Sequence, residues 1–395
     1  MGETNKMMAA LRDVSNALEQ ANSRYCLLEE AALWLQGVDV PVHSLVLAVQ
    51  WDTFTYTYKA FEAFNTTAIE KEKHFDFFTF HSQQIKVEVR CYYNTVIATD
   101  PDRLAVEKQG TLFWVKSPDY YLRHLDHKDE RYQAIKAYLQ RVQSENSQVA
   151  KQAWTQGTYQ AWLERFGPPE AVAQGLIEHP FTKLSSLGSW LGDLRGKKVI
   201  NLLGSHGTKA IAMALLGATA TVVDISEENA RYAQEVAQAV GVDLEYIVSD
   251  VLSLPEAIFN GDYDLVLMEL GILHYFVDLE PLVKVVTRLL KQGGRLILQD
   301  FHPVSTKLIS SKGRKHKVTG NYFSKELIRT EVAFTKFLTD ESETAYVYER
   351  QWTMGEVVTA VGQGGLFIQQ LDEQPNIKIN DIGLPKIFTI IAEKL

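Results

Sequence analysis

The sequence predicts an α/β fold for the carboxyl-terminal half of the chain, and two observations support this prediction. From residue 198 onward, apolar stretches typical of buried strands alternate with helical stretches, which indicates a parallel sheet covered by helices on both faces. The last two strand candidates are joined without a helical stretch, so we expect them to form an antiparallel hairpin at the sheet edge. The candidate strands read KVINLL, TATVVD, LEYIVS, YDLVLME, GRLILQD, LFIQQLDE and KIFTIIAEK.

Length and charge narrow the class of protein. The chain has 395 residues, which favours more than one domain, and a net charge of −9, which argues against nucleic acid or an anionic membrane as partner. It has two cysteines, no apolar leader of a signal peptide, and no apolar run of the roughly 20 residues that span a bilayer. We expect a cytoplasmic protein with no nucleic-acid partner and no membrane partner.

The chain changes character near residue 145. Residues 1–145 mix aromatic-rich, strand-like stretches with helical ones, which is typical of an α+β domain. Residues 146–195 form a helical connector interrupted by glycine and proline, which we expect to act as a lid over the ligand. Residues 196–395 hold the predicted sheet, with a long insertion at about 301–365 that we expect to cap the ligand site.

A glycine-containing turn follows the first strand, in VINLLGSHGTKAIAMALLGA. Gly204 and Gly207 allow close approach of a ligand, and the N–H groups at the next helix terminus face it. Asp224 ends the second strand, where a carboxylate accepts hydrogen bonds from ribose hydroxyls. Asp250 closes the third strand, where it can accept from an adenine amine. The turn and Asp224 alone suit NAD, FAD or S-adenosylmethionine.

These stretches together resemble the class I S-adenosylmethionine-dependent methyltransferases, over roughly residues 155–395. The resemblance rests on the glycine turn, TVVDISEEN, SDVLSLP and LLKQGGRLILQDFHP, which occur in this order. It implies a Rossmann-like seven-stranded sheet and S-adenosyl-L-methionine as cofactor; we predict no metal site. The residues expected at the cofactor are Asn201, Gly204, Ser205, His206, Gly207, Asp224, Ile225, Asp250, Val251, Glu269 and Tyr159, with Trp162 beside them on the connector.

The glycine turn departs from the family pattern. Asn201 replaces the acid that the family uses near the cofactor's amino group, and Leu203 and Ser205 stand where glycines are usual. An amide accepts a weaker hydrogen bond from an ammonium than a carboxylate does. Gly204 could compensate through a shifted turn, and Glu269 could replace the missing acid.

Methyl transfer requires alignment of the acceptor and removal of its proton where it has one. In this family the acceptor lies above strands four and five. The residues at that place that we expect to be catalytic are His274, His302 and Asp300. The residues expected to line the acceptor pocket are Tyr275, Tyr322, Tyr348, Arg350 and Trp352. Both histidines also have a purely structural interpretation as caps or packing residues.

Residues 25–64 resemble a nucleotidyltransferase-like domain, in WLQGVDVP and the apolar run after it. The paired carboxylates that such enzymes need for metals are missing, since Ser44, Leu45 and Val46 stand there. Of the carboxylates in such a metal site, Glu88 could match only the third. We expect this domain to be non-catalytic. Its role could be to bind substrate, to cover the acceptor site or to mediate dimerisation. A homodimer is therefore one expected assembly.

The preferred interpretation is S-adenosylmethionine-dependent methyl transfer to a small polar metabolite. A second interpretation is an inactive methyltransferase fold that serves as a ligand-binding or regulatory scaffold, as the Asn201 departure suggests. A third is an NAD-dependent oxidoreductase, which Asp250 and the closing hairpin disfavour.

Overall fold

The computed structural model describes residues 3–312, 315–338, 345–376 and 383–395. The chain divides into two compact units, which are Met1–Arg141 (unit 1) and Val142–Leu395 (unit 2). Within the described residues, no helix has both the length and the apolar character needed to cross a membrane.

Unit 1 is an α+β domain, as the sequence predicts. Its elements in chain order are α1 (Glu3–Gln20), β1 (Tyr25–Leu28), α2 (Glu29–Leu35), β2 (Ser44–Val49), α3 (Phe54–Ala60), β3 (Glu70–Lys71), β4 (Phe75–Ser82), β5 (Ile85–Tyr92), β6 (Arg103–Lys108), β7 (Thr111–Lys116), α4 (Pro118–His124) and the start of α5 (Glu130–Trp154). The seven strands form one sheet in the order β3-β4-β5-β2-β1-β7-β6. Residues of α1 and α2 pack against the sheet in one apolar core.

Two positions of unit 1 bear on the nucleotidyltransferase resemblance. Leu45 and Val46 lie buried in β2, beside β5, so apolar packing occupies the positions where paired acids were sought. Glu88 on β5 pairs with Arg90 at 2.6 Å, and Arg90 also pairs with Glu29 at 2.9 Å. Glu88 is therefore part of an internal ion-pair network.

Unit 2 begins with the end of α5 and continues as a helical connector and an alternating strand–helix region. Its elements are α6 (Thr158–Phe166), α7 (Pro169–Glu178), α8 (Pro180–Leu184), α9 (Gly188–Leu191), β8 (Lys198–Leu202), α10 (Thr208–Leu215), β9 (Thr219–Asp224), α11 (Glu227–Val240), β10 (Glu245–Val248), β11 (Tyr263–Glu269), α12 (Leu279–Leu289), β12 (Leu290–Phe301), β13 (Ile309–Lys312), β14 (Lys315–Val318), β15 (Leu327–Glu331), β16 (Tyr346–Arg350), α13 (Met354–Gln363), β17 (Leu366–Pro375) and β18 (Pro385–Lys394).

The predicted seven-stranded sheet is present in unit 2. Its strand order is β10-β9-β8-β11-β12-β18-β17, with the first five strands parallel and β18 antiparallel to both of its neighbours. The expected edge hairpin of β17 and β18 is therefore confirmed. The chain moves outward from β8 to β10 and then returns to β11, so the order reverses between β8 and β11, where such sheets bind ligands.

One strand differs from its predicted bounds. β12 begins at Leu290, directly after α12, and not at Gly294 as the sequence suggested. Leu290 is buried and pairs with Tyr263, and the register shifts before Leu265 pairs with Arg295. The glycine pair of KQGG therefore lies in an irregular stretch of the strand, with Gly293 at φ 72°.

Alternation along each strand builds a core on both faces of this sheet. On β11, Leu265 and Leu267 pack toward α10 and α11, whereas Val266 and Met268 pack toward α12 and α13. Side-chain caps fix where the helices begin. Ser226 accepts from the N–H of Asn229 at the start of α11, and α13 starts with a capping box of Thr353 and Glu356.

The insertion between β12 and α13 carries two small hairpins, β13–β14 and β15–β16. Residues 313, 314 and 339–344 of this insertion lie outside the described residues.

Candidate functional site

A cavity of about 390 Å³ lies at the carboxyl ends of β8, β9, β10 and β11, within unit 2. This volume falls in the range of ligand sites. Its wall combines the turn after β8, the strand tips, the loop after β11 and one side of α5. The lining residues are Gln143, Asn146, Ser147, Ala150, Trp154, Trp162, Leu203, Gly204, Ser205, His206, Thr208, Lys209, Val223, Asp224, Ile225, Ser249, Asp250, Val251, Glu269, Leu270, Gly271, Ile272, Tyr275, Phe276 and Tyr348.

The turn after β8 keeps a glycine-like backbone although two of its residues are not glycine. Leu203 and Ser205 have φ of 52° and 48°, in the left-handed region that glycine enters most easily. Gly204 itself has no positive φ. A Cβ on Gly204 would lie 2.8 Å from Val222 Cγ1 and 2.9 Å from Asn201 Oδ1, so contact with these side chains requires the glycine. A turn shifted by Gly204, which the sequence analysis offers as a compensation, stays a prediction.

Asp224 joins the tip of β9 to this turn. Its carboxylate accepts from the N–H of Ser205 at 2.9 Å, the N–H of Ser226 at 3.0 Å and the side-chain amide of Asn229 at 2.9 Å. Burial raises the pKa of Asp224, and these hydrogen bonds oppose part of that rise. The carboxylate is held in place while it still borders the cavity.

Asp250 stands on the cavity wall after β10. It accepts from the N–H of Leu252 at 2.8 Å, which fixes the short turn that follows. Nearby, Tyr246 on β10 donates its hydroxyl to the carbonyl of Ser205 at 2.7 Å, which ties β10 to the glycine turn. Asp224 and Asp250 thus occupy the tips of neighbouring strands, as the sequence predicts.

Glu269 ends β11 and contacts Lys209, which lies in the first turn of α10. The two side chains are 13% and 21% exposed, so the pair is largely shielded from water. Burial raises the pKa of Glu269, whereas the Lys209 ammonium lowers it. This ion pair lies between β8 and β11, at the point where the strand order reverses.

His206 occupies the aromatic side of the turn. Its ring makes edge contacts with Trp162 at 5.1 Å and Phe166 at 4.8 Å, and Nδ1 lies 3.1 Å from Thr208 Oγ1. Burial lowers the pKa of His206 to about 4, and the Lys183 and Lys209 cations act in the same direction. His206 is therefore neutral near pH 7.

The end of α5 closes one side of the cavity through side-chain contacts to the loop after β11. Gln143 donates to the carbonyl of Tyr275 at 3.1 Å and accepts from the N–H of Val277 at 2.9 Å. Trp154 donates its indole N–H to the hydroxyl of Tyr275 at 3.1 Å. These three bonds place Tyr275 on the wall, where the sequence expected it.

The three expected catalytic residues do not line the cavity. Asp300 accepts from the N–H groups of Gly271 at 2.6 Å and Leu273 at 3.0 Å, so it holds the loop after β11. His302 is buried, with Nε2 at 2.7 Å from Glu373 and Nδ1 accepting from Val304. His274 Nε2 lies 3.4 Å from Glu349. The expected positions on the cavity wall are therefore not observed, and a catalytic role for the three side chains stays a prediction.

Three expected cofactor residues, Asn201, Tyr159 and Gly207, do not line the cavity. Asn201 is 1% exposed and donates to the carbonyl of Leu267 at 3.2 Å, which ties β8 to β11. Tyr159 directs its hydroxyl to Glu235 at 2.5 Å and its N–H to Glu228 at 2.8 Å. Both positions are corrections to the sequence analysis. Gly207, with φ 67°, caps α10 immediately beside the lining residues.

Of the expected acceptor residues, only Tyr275 and Tyr348 border the cavity. Arg350 is buried and donates to the carbonyl of Val277 at 2.5 Å, with its guanidinium over the Trp352 ring. Trp352 donates to the carbonyl of Leu273 at 2.9 Å. Tyr322 accepts from the N–H of Met354 at 3.0 Å. Arg350, Trp352 and Tyr322 thus do not line the cavity, and contact between them and an acceptor stays a prediction.

Sequence reasoning missed Lys209 and the cavity-facing side of α5, including Gln143, Asn146, Ser147 and Trp154. The position of Lys209 could have been predicted from the sequence, since it falls in the first helical turn after the glycine loop. The residues of α5 had none, because their role depends on where that helix packs. His206, Ile225, Val251 and Glu269 line the cavity as expected, together with Asp224, Asp250, Gly204, Ser205 and Trp162.

Part of unit 2 is similar to a known protein family. Residues 203–298 match a family model described as a methyltransferase domain, and this segment contains the glycine turn, β9 to β11 and most of β12. This segment of unit 2 is therefore similar to a methyltransferase domain, which agrees with the class that the sequence predicts.

Particular relatives are more distant. Uncharacterized proteins of Mycobacterium tuberculosis and Mycobacterium bovis are 27% identical over 153 residues, which is 39% of this chain and 50% of theirs. The chain thus spans about half the length of these curated relatives. Among solved structures, an S-adenosylmethionine dependent methyltransferase from Listeria monocytogenes is 21% identical, with a TM-score of 0.42, over 55% of this chain and 99% of its own. A magnesium protoporphyrin IX methyltransferase from Synechocystis with bound S-adenosylhomocysteine is 18% identical, with a TM-score of 0.40, over 63% of this chain and 100% of its own.

Proposed function

We propose that unit 2 binds S-adenosyl-L-methionine and transfers its methyl group to a small polar metabolite. The single observation that carries this proposal is the cavity at the strand ends, with Asp224 and Asp250 on adjacent strand tips and the glycine turn beside them. The similarity of residues 203–298 to a methyltransferase domain agrees with this cavity and supports S-adenosylmethionine over NAD as the ligand.

The residues present fit such a cofactor. Asp224 has a carboxylate already fixed by backbone donors, which suits ribose hydroxyls, and Asp250 borders the region next to it. When bound, S-adenosylmethionine supplies an activated methyl group on a sulfonium. Trp154, Trp162 and Phe276 shield the same space from water, which favours reaction over hydrolysis.

The protein's contribution to the chemistry is positioning. His274, His302 and Asp300 do not line the cavity, which supports this proposal. Alignment of an acceptor with a bound methyl donor can supply a large part of the rate enhancement by itself. The volume of the cavity, about 390 Å³, is that of a small-molecule site, which supports a small acceptor.

Calorimetry with S-adenosylmethionine, S-adenosylhomocysteine and NAD tests the binding step. We expect the first two to bind and to raise the melting temperature, because a ligand that prefers the native state stabilises it by mass action. Asp224→Asn should weaken both affinities at least tenfold, whereas Asp243→Asn, on the exposed turn before β10, should leave them unchanged. Binding of NAD alone, or of none of the three, would overturn the proposal, and the latter would favour the scaffold interpretation.

The acceptor class has its own test. The protein is incubated with S-adenosylmethionine labelled at the methyl group and with separated low-mass, protein and nucleic-acid fractions of a cell extract. We expect label in the low-mass fraction only. Label in protein or nucleic acid would contradict a metabolite acceptor while leaving the cofactor assignment standing.

For unit 1, the proposed role is non-catalytic. The Glu88–Arg90–Glu29 ion pairs and the apolar β2 support this proposal. Incorporation of labelled nucleotide from ATP with magnesium would contradict it. A cytoplasmic location and a homodimer stay predictions of the sequence, and light scattering after size-exclusion chromatography measures the second.

A further inference from the structure

The order of strand tips sets the direction in which an adenosine ligand would extend. Asp250 follows β10 and Asp224 ends β9, the two outer strands on one side of the sheet. If these acids hold the adenine and the ribose, the rest of the ligand continues toward the next strands, β8 and β11. The charged side chains on the cavity wall at that place are Lys209, after β8, and Glu269, at the end of β11.

Lys209 and Glu269 differ from the other charged residues of the wall. Asp224 and Asp250 accept hydrogen bonds from backbone N–H groups, whereas Glu269 accepts a hydrogen bond from the Lys209 ammonium. Among the described residues that line the cavity, Lys209 is the one lysine or arginine. The wall therefore presents one ammonium and one carboxylate side by side at the inner end of the cavity.

We propose that the Lys209–Glu269 pair recognises the amino-acid end of S-adenosylmethionine, with Lys209 bound to its carboxylate and Glu269 to its ammonium. This inference rests on the proposed function. Four groups of alternating charge would then lie together, so that neither the protein pair nor the ligand zwitterion carries an uncompensated charge into a shielded site.

The proposal also accounts for Asn201. Its amide N–H₂ is bonded to the carbonyl of Leu267, and its Oδ1 lies beside Gly204, so the side chain serves the packing of β8 against β11. The negative charge missing from β8 is present on the adjacent strand, at Glu269. The ammonium-binding group has thus moved across the switch point of the sheet by one strand.

The expected energetic effect is specific for ligands that carry the amino-acid end. A hydrogen bond to a charged group contributes roughly 1.5–3 kcal/mol, which corresponds to about 10- to 100-fold in affinity. A nucleoside thioether without that end, such as 5′-methylthioadenosine, gains nothing from the pair. The ratio of the two affinities therefore isolates the pair from the adenosine-binding residues.

Calorimetry of the full chain with S-adenosylhomocysteine and with 5′-methylthioadenosine tests the proposal. In the wild type we expect the former to bind at least tenfold more tightly. In Lys209→Met and in Glu269→Gln this preference should fall about tenfold or more, while the affinity for 5′-methylthioadenosine changes less than about threefold. Retained 5′-methylthioadenosine binding also shows that each variant is folded.

Matched controls are Lys284→Met and Glu280→Gln, which alter an exposed Lys–Glu pair of α12 with a 2.6 Å contact. Both should keep the wild-type preference. If the Lys209 and Glu269 variants bind both ligands as the wild type does, or weaken both equally, the inference is overturned and the proposed function stands. If the wild type binds neither compound, the proposed function itself fails.

Discussion

The N–H of Ser205 donates to Oδ2 of Asp224 at 2.9 Å, which joins the turn after β8 to the tip of β9. The other carboxylate oxygen accepts from Ser226 and Asn229, at the start of α11. One carboxylate thus connects three segments of the cavity wall before any ligand arrives. Because the donor is the backbone N–H of Ser205 and not its hydroxyl, this hydrogen bond does not depend on which side chain stands at position 205.

Ser205→Gly should therefore preserve the site and remove backbone strain. Ser205 has φ 48°, and a left-handed conformation costs roughly 1 kcal/mol for a residue with a Cβ. We expect the free energy of unfolding to rise by up to about 1 kcal/mol in urea denaturation. The control Ser144→Gly, in the exposed interior of α5, should lose about 0.5–1 kcal/mol. A loss of similar size in Ser205→Gly would show that the hydroxyl matters.

Gly204→Ala should have the opposite effect. The added Cβ would approach Val222 Cγ1 at 2.8 Å and Asn201 Oδ1 at 2.9 Å, both on buried strands. Overpacking of this kind costs roughly 1–3 kcal/mol, measurable by thermal or urea unfolding. Gly355→Ala in α13, where a Cβ meets nothing within 4 Å, should be neutral or stabilising. Equal stabilities for the two variants would contradict the packing at the turn.

The lowered pKa of His206 should make the stability of the protein depend on pH. Its pKa is about 4 in the folded chain, whereas an unfolded histidine titrates near pH 6.5. Between these values the unfolded state binds the additional proton, so stability is complete above about pH 6.5 and is lost as the pH falls toward 4. The pKa difference corresponds to roughly 3 kcal/mol.

Melting temperatures of the wild type and His206→Gln, measured from pH 7 to pH 4, check this prediction. The variant keeps a partner for Thr208 and should lose less stability across the window than the wild type. The exposed His179→Gln serves as control and should follow the wild type. Parallel curves for the wild type and His206→Gln would show that the imidazole does not control this pH dependence.

Gln143→Leu should loosen the loop after β11. The change leaves the Val277 N–H without its 2.9 Å acceptor and the Tyr275 carbonyl without a donor. An unpaired buried group of this kind costs roughly 1–3 kcal/mol. Hydrogen exchange at Val277 should accelerate correspondingly, whereas the exposed substitution Gln148→Leu on the same helix should leave it unchanged. Unchanged exchange in Gln143→Leu would mean that the loop is held by other contacts.

The sheet of unit 2 was predictable because its signal is local. Each strand is a short apolar run, each helix between them has its own period, and the missing helix before the last strand indicates the hairpin. Asp224 and Asp250 were predictable for the same reason, since the carboxyl ends of parallel strands meet at one edge.

The directions of the expected catalytic side chains were harder to predict because they depend on tertiary hydrogen bonds. Asp300 and His302 lie at the predicted strand end, but the N–H of Gly271 and the carboxylate of Glu373 direct them into the wall. Lys209 and the α5 side chains reach the cavity only through packing between distant segments. The turn kept a glycine-like path through Leu203 and Ser205, which no composition rule would anticipate.

The most direct test of the central claim is a crystal structure of the full chain grown with S-adenosylhomocysteine. We predict that the ligand fills the cavity with its ribose hydroxyls on Asp224 and its adenine beside Asp250. An empty cavity under saturating ligand, or a ligand bound elsewhere on the chain, would contradict the assignment of this cavity as a methyl-donor site.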